Sequence, residues 1–167
     1  MATRGEPSAQ DPARHMLRHT VATLAYRGGK ALRGAPDNFA EFRIGEKSRT
    51  PGEILAHVGD LLDWALSQAR GKQEWHNSPA LSWKQGTERF FTALVAFDEY
   101  LGSELPLAYP PEKIFQGAIA DALTHVGQIA MLRRLAGCPV KAENYFQAEI
   151  QAGRVGAEQA APVREFD

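Results

Sequence analysis

The chain has 167 residues, 44% of them hydrophobic, and a formal net charge of -1, which suits one domain with an ordinary globular core. Lys and Arg are scattered, with no basic stripe joined to stacking aromatics, which argues against a nucleic-acid partner. No apolar run approaches the roughly 18 residues of a membrane span, the leading MATRGEPSAQDPAR lacks the apolar middle of a secretory signal, and the single cysteine, Cys138, leaves no internal disulfide, so the expected setting is cytoplasmic.

Helix one is expected over about Pro12 to Arg27, with Asp11 as N-cap, Pro12 at the first helical position and Leu17, Val21 and Leu24 at helical spacing. Gly28 and Gly29 are expected to end it. A linker to about Arg49 follows, in which Phe39 to Ile44 alternates as an extended segment would. Helix two has the clearest start. Thr50, Pro51 and Glu53 form a capping box, and Ile54, Val58, Leu61 and Ala65 mark its apolar face until Gly71. Helix three is expected from Ser78-Pro79, with Trp83, Thr87, Phe90, Leu94, Phe97 and Leu101 on one stripe and Gly102 and Pro106 closing it. Helix four runs from about Pro111 or Glu112 to Ala136, with Ile114, Ala118, Ala122, Ile129 and Leu132 inside. Arg133 and Arg134 complement its negative end, and Gly137 then Pro139 stop it. Beyond it, Glu143 to Ile150 reads as a short helix, and Gly153 to Asp167 as a tail. The expected fold is therefore all-α: an antiparallel four-helix bundle over residues 10–140, with a long first connection, and a C-terminal extension over 141–167.

The informative residues break the apolar pattern. His57 lies at the edge of the inner face of helix two. Asp121 and His125, four apart on helix four, stand about 40° apart on the wheel, inside the apolar stripe. A carboxylate there is costly unless paired or bound to a metal. An Asp and a His at this spacing can share an ion, and His57 from the facing helix can complete a three-ligand set with a position left for water or substrate. Gln128 stays near the same face and can hold a bound water or orient a ligand. The competing reading is a plain buried His125–Asp121 pair without an ion. His15 and His19 form a second, less favoured pair on helix one, and His76 belongs to an exposed loop. Trp64, Trp83 and Phe90 suit either a pocket wall or the core. Cys138 reads as structural. No Ser-His-Asp order, CxxC pair, phosphate loop or dinucleotide fingerprint is present.

The stretch Arg49-Thr50-Pro51-Gly52-Glu53-Ile54-Leu55-Ala56-His57-Val58 followed by Trp64, and the stretch from Asp121 to Ile129 followed by Arg133-Arg134-Leu135-Ala136-Gly137, resemble the metal-binding helices of the DinB-like superfamily. The resemblance covers about residues 10 to 140. It implies a four-helix bundle carrying a divalent metal, zinc or nickel, on three histidines. His57 and His125 match two of them, and Asp121 stands where the family has histidine. It also implies activation of a water or a low-molecular-weight thiol by the metal, as in thiol-dependent transferases or metal-dependent hydrolases. The partners implied are a small-molecule substrate and a second copy in a homodimer. The rival is a non-catalytic stress-response module that binds a small ligand or metal.

Overall fold

The computed structural model describes residues 11–166. Residue 10 of the expected domain, and the stretch read for a secretory signal as far as residue 10, lie outside the described residues.

The described chain is mostly helical, with one two-stranded sheet. The first helix, α1 (Pro12–Leu32), starts as expected: the Asp11 carboxylate accepts from the Ala13 amide at 3.0 Å, with Pro12 following. It does not stop at Gly28 and Gly29. Both lie inside the helix and are buried. They are small because the helix carrying Phe90 and Phe91 crosses here: a Cβ built on Gly28 falls 2.5 Å from Phe90 Cζ, and one on Gly29 falls 3.3 Å from Phe91 Cζ. Two sequence-adjacent glycines thus mark a close approach and not a helix end. Gly28→Ala is expected to destabilise the fold by about 1–3 kcal/mol through overpacking. Gly127→Ala, where a Cβ meets nothing within 4 Å, is expected to raise stability by up to about 1 kcal/mol. Denaturant titration of the two variants checks the opposite signs.

The connection to the second helix is not extended at Phe39. Asp37–Glu41 form a 3-10 turn that drives Phe39 edge-on into Trp83, with ring centroids 5.0 Å apart. Burying one aromatic outweighs the alternation that suggested a strand. Helix α2 (Pro51–Ala69) carries the full capping box: the Glu53 amide donates to Thr50 Oγ1, and the Thr50 amide donates to the Glu53 carboxylate. Helix α3 (Trp83–Gly102) begins later than expected. Ser82 is its N-cap, because Ser78 is used elsewhere. The Ser78 amide and hydroxyl both donate to the buried Asp60 carboxylate of α2, at 2.9 and 2.7 Å. Arg89 of α3 also donates to Asp60, at 2.7 Å. The loop between α2 and α3 is thereby tied down near its middle.

The last long helical segment is interrupted in kind and not in direction. Helix α4 (Pro111–Ile114) passes through a π-helical turn (Phe115–Ile119) into α5 (Ala120–Leu135), with helical backbone at both junctions. A π-turn inserts a residue's worth of rotation and so re-aims everything after it. Gly137, at φ +77°, then ends the helix as expected. Arg133 does more than complement a helix end. It is buried, and its guanidinium donates to the Ala31 and Arg33 carbonyls at the close of α1, and to Cys138 O beyond α5. Carbonyls left over by helix termination are satisfied this way.

Helices α1 and α2 each pack against both α3 and α5. The shared core holds Val21, Leu24, Val58, Leu62, Phe90, Leu94, Phe97, Ile114 and Ile129. Beyond α5 there is no helix over Glu143 to Ile150. A 3-10 turn covers only Tyr145–Gln147, and β1 (Ala142–Glu143) pairs antiparallel with β2 (Glu165–Phe166). Glu143 points inward, where it accepts from Tyr26 Oη and Lys30 Nζ, both at 2.6 Å. That ionic anchor, absent from a free helix, is the reason the extension folds back on α1. No helix among the described residues is long and apolar enough to cross a membrane.

Candidate metal centre

His57 projects from the middle of α2, one position before the fully buried Val58. Asp121 and His125 project from the first turns of α5, just after the π-turn. The fold brings all three together. His57 Nε2 lies 3.6 Å from Asp121 Oδ2, and His125 Nε2 lies 3.5 Å from Asp121 Oδ1. One donor atom from each falls within 4.8 Å of the others. The imidazole rings are 4.7 Å apart and nearly perpendicular. Among the described residues, no second group of three or more His, Cys, Asp or Glu donors gathers in this way. His15 is exposed on α1, His19 lies one turn on, and His76 is exposed in its loop. None of the three joins the cluster.

The spacing is informative. A plain histidine–aspartate hydrogen bond puts nitrogen and oxygen about 2.7–3.0 Å apart, and the two observed separations are longer. Donors held about 2.1 Å from a tetrahedral ion lie about 3.4 Å from one another. The two carboxylate-to-imidazole gaps, each to a different carboxylate oxygen, are close to that figure, and one donor atom from each residue lies within 4.8 Å of the others. The chemistry of the donors agrees. His125 Nδ1 lies 2.7 Å from Gln128 Oε1. When that nitrogen carries the proton it donates to the amide oxygen, and Nε2 is left as a lone pair facing a carboxylate. Two acceptors that face each other repel unless a cation lies between them. Gln128, singled out from spacing, thus fixes the ring's tautomer and aim. Gln128→Ala is expected to weaken divalent-metal binding about 10–100-fold with little change in stability, measured by competition with a chelating indicator.

His57 is pushed below the ordinary histidine range. Burial is the largest cause, the neighbouring His125 ring and the Arg49 guanidinium further disfavour a charge on His57, and Asp121 opposes them only in part. A ring held neutral offers its lone pair, as a ligand must. The expectation that Asp121 sits inside the apolar stripe is corrected. Its side chain is 46% exposed, against 12% for His125. The added rotation of the π-turn sets Asp121 at the rim, so the site opens to solvent on the carboxylate side.

Aromatic side chains bound the other side. Trp75, from the loop after α2, meets His57 edge-on at 5.6 Å and Trp64 edge-on at 5.7 Å. A Cβ on Gly117, inside the π-turn, would lie 3.7 Å from Trp64, so this wall reaches the turn that aims Asp121. Trp64 is partly buried against the core and meets Trp75 on its outer side. Trp83 and Phe90 are core, with the Trp83 indole donating to Leu32 O. Trp75 has no periodicity to announce it, and only the three-dimensional path of its loop places it here. Arg49 is the other residue that spacing could not flag. It lines a cleft of about 400 Å³ that reaches His57 and a second of about 440 Å³ that reaches His125 and Gln128.

No family model matches the chain, and no curated protein or solved structure matches it.

Proposed function

We propose that the chain is a metal-dependent enzyme of the DinB-like type, built as an antiparallel four-helix bundle, with His57, Asp121 and His125 as the ligands of a divalent ion. The observation that carries this reading is the convergence of three donors from two helices at separations suited to a shared cation and too long for direct hydrogen bonds. The packing of α1 and α2 against both α3 and α5 supports the bundle. Two imidazoles and a carboxylate favour zinc or nickel. A bound ion would supply Lewis acidity, lowering the pKa of a water or a low-molecular-weight thiol toward neutrality.

The chain's own residues do the rest. Gln128 holds the His125 ring in place. Trp75 and Trp64 screen the His57 side from water, while the half-exposed Asp121 leaves an entrance. The carboxylate in place of a third neutral ligand removes one unit of positive charge from the site. It leaves the ion a weaker acid and favours a thiol, already easier to ionise than water. No separate general base stands out, so activation of the nucleophile falls to the ion.

The test is elemental analysis of protein prepared without a polyhistidine tag or chelator, followed by turnover assays with activated esters and with thiol plus electrophile. About one zinc or nickel per chain, with turnover that a chelator abolishes, is the expected result. Stoichiometric metal without turnover would favour the non-catalytic module, and no metal uptake would defeat both.

A further inference from the structure

The surroundings of the three donors are lopsided. Along the His125 side runs a groove whose floor is Ile54 and Leu132 and whose rims are Ile44, Met131 and Leu135. These rim side chains are 56–58% exposed. Its volume of about 440 Å³ is within the range of small-molecule sites. Exposed large apolar groups that line a concave surface next to polar groups are a feature of binding grooves. At the end where the groove meets the donors stands Arg49, which also lines the cleft on the His57 side.

Arg49 differs from the arginines that build the fold. Arg14, Arg18, Arg89 and Arg133 are each fixed on protein acceptors. Arg49 has no hydrogen bond or ion pair among the described residues. The carboxylates nearest along its cleft are largely committed: Glu53 to the Thr50 amide and Arg43, and Asp60 to Ser78 and Arg89. Glu46 and Lys47, in the same cleft, offset each other. Arg49 is thus the cation of this cleft left without a carboxylate of its own, with Asp121 standing among the donors beyond it, and it is the side chain best shaped to grip a planar anion through two parallel hydrogen bonds.

We propose that the site takes a small amphipathic monocarboxylate, with its head group on Arg49 and its apolar limb along Ile44, Met131 and Leu135. The planar guanidinium matches a planar carboxylate, and the Asp121 carboxylate at the donors disfavours a phosphate dianion there. The groove gives the limb an apolar bed, and the head group then lies where His57 and His125 converge. That this ligand is a substrate rests on the metal-enzyme reading; that it binds does not.

The test is calorimetric titration with octanoate, octanol and acetate, on metal-free and zinc-loaded protein. Arg49→Gln and Met131→Asp serve as variants; both positions are exposed, so the fold is retained. Metal content measured on the same samples reports separately on the enzyme reading. The expected result is octanoate binding to both forms, weakened about tenfold or more by Arg49→Gln, with octanol indifferent to that change. Met131→Asp weakens both octanoate and octanol, and acetate binds far more weakly than octanoate. Octanoate binding that Arg49→Gln leaves unchanged would overturn the anion grip. Binding seen only with zinc would also overturn it, since the ion alone would then hold the head group. Octanoate and acetate bound equally would overturn the apolar limb, and no octanoate binding would overturn the whole proposal.

Discussion

Replacing His125 with alanine is expected to lower divalent-metal affinity by about 100-fold or more. Loss of a partner that merely orients a ligand costs about 10–100-fold, and loss of a ligand atom itself must exceed the middle of that range. The substitution should cost little stability, because His125 lies at the edge of the core beside an open groove and its neighbours Ala122, Val126 and Ile129 carry the packing. His57→Ala is expected to give the same loss from the facing helix, and Asp121→Asn a smaller one, since an amide oxygen still donates but carries no charge. The measurement is equilibrium dialysis against zinc or nickel, with thermal unfolding run in parallel. If Asp121 and His125 were only a polar pair, all three variants would shift stability and none would change metal uptake. Metal uptake that survives His57→Ala and His125→Ala together would remove the centre altogether. Burial above all lowers the His57 pKa, so on mild acidification protons compete for this ring less than for an ordinary exposed histidine.

How much of the centre could be read from the chain depends on what fixes each residue. The capping box of Thr50 and Glu53 sets the start of α2 by local chemistry alone, and His57 follows from it by counting turns. The four-residue step from Asp121 to His125, and the three-residue step to Gln128, are likewise local. What was hidden is non-local. The Gly28-Gly29 pair resembles a terminator until Phe90 and Phe91 are seen against it. Ser78-Pro79 resembles a cap until Asp60 is seen to accept from Ser78. The π-turn leaves no clear mark in the sequence, since one inserted residue only shifts the apolar stripe from the Ile114 and Ala118 register to that of Ile119 and Val126. It is nevertheless what brings Asp121 to the rim. The candidate centre is thus made of locally specified side chains aimed by non-locally specified backbone.

The C-terminal extension supplies the largest expected effect on stability. Glu143→Ala should destabilise the protein by about 3–5 kcal/mol, the usual cost of leaving one member of a buried ion pair alone, and a large share of the roughly 5–15 kcal/mol that holds a domain together. The Glu143 side chain has no exposed surface, and Lys30 keeps only 7%. Burial lowers the Lys30 pKa, but Glu143 and Glu165 more than restore it, so the amine stays charged in the fold. Burial, and then the bond to Glu143, keeps the Tyr26 phenol protonated well above its ordinary range. Removing Glu143 therefore strands a charge and a hydroxyl together. Glu165, at 2.8 Å from Lys30 but one-third exposed, can relieve part of the loss, which sets the expectation toward the lower end of the range. Glu165→Ala alone should cost far less than Glu143→Ala. Limited proteolysis should cut the extension of Glu143→Ala within residues 141–166 first, because the pairing of β1 with β2 is only two residues long. Lys30→Met combined with Glu143→Leu should recover much of the loss, since two apolar side chains need no partner. Unfolding by denaturant decides between these outcomes. If the double variant proved as unstable as Glu143→Ala, the anchor would owe its strength to shape and the Tyr26 bond instead of charge. Metal uptake should persist in every one of these variants, because His57, Asp121 and His125 make no contact with the anchor.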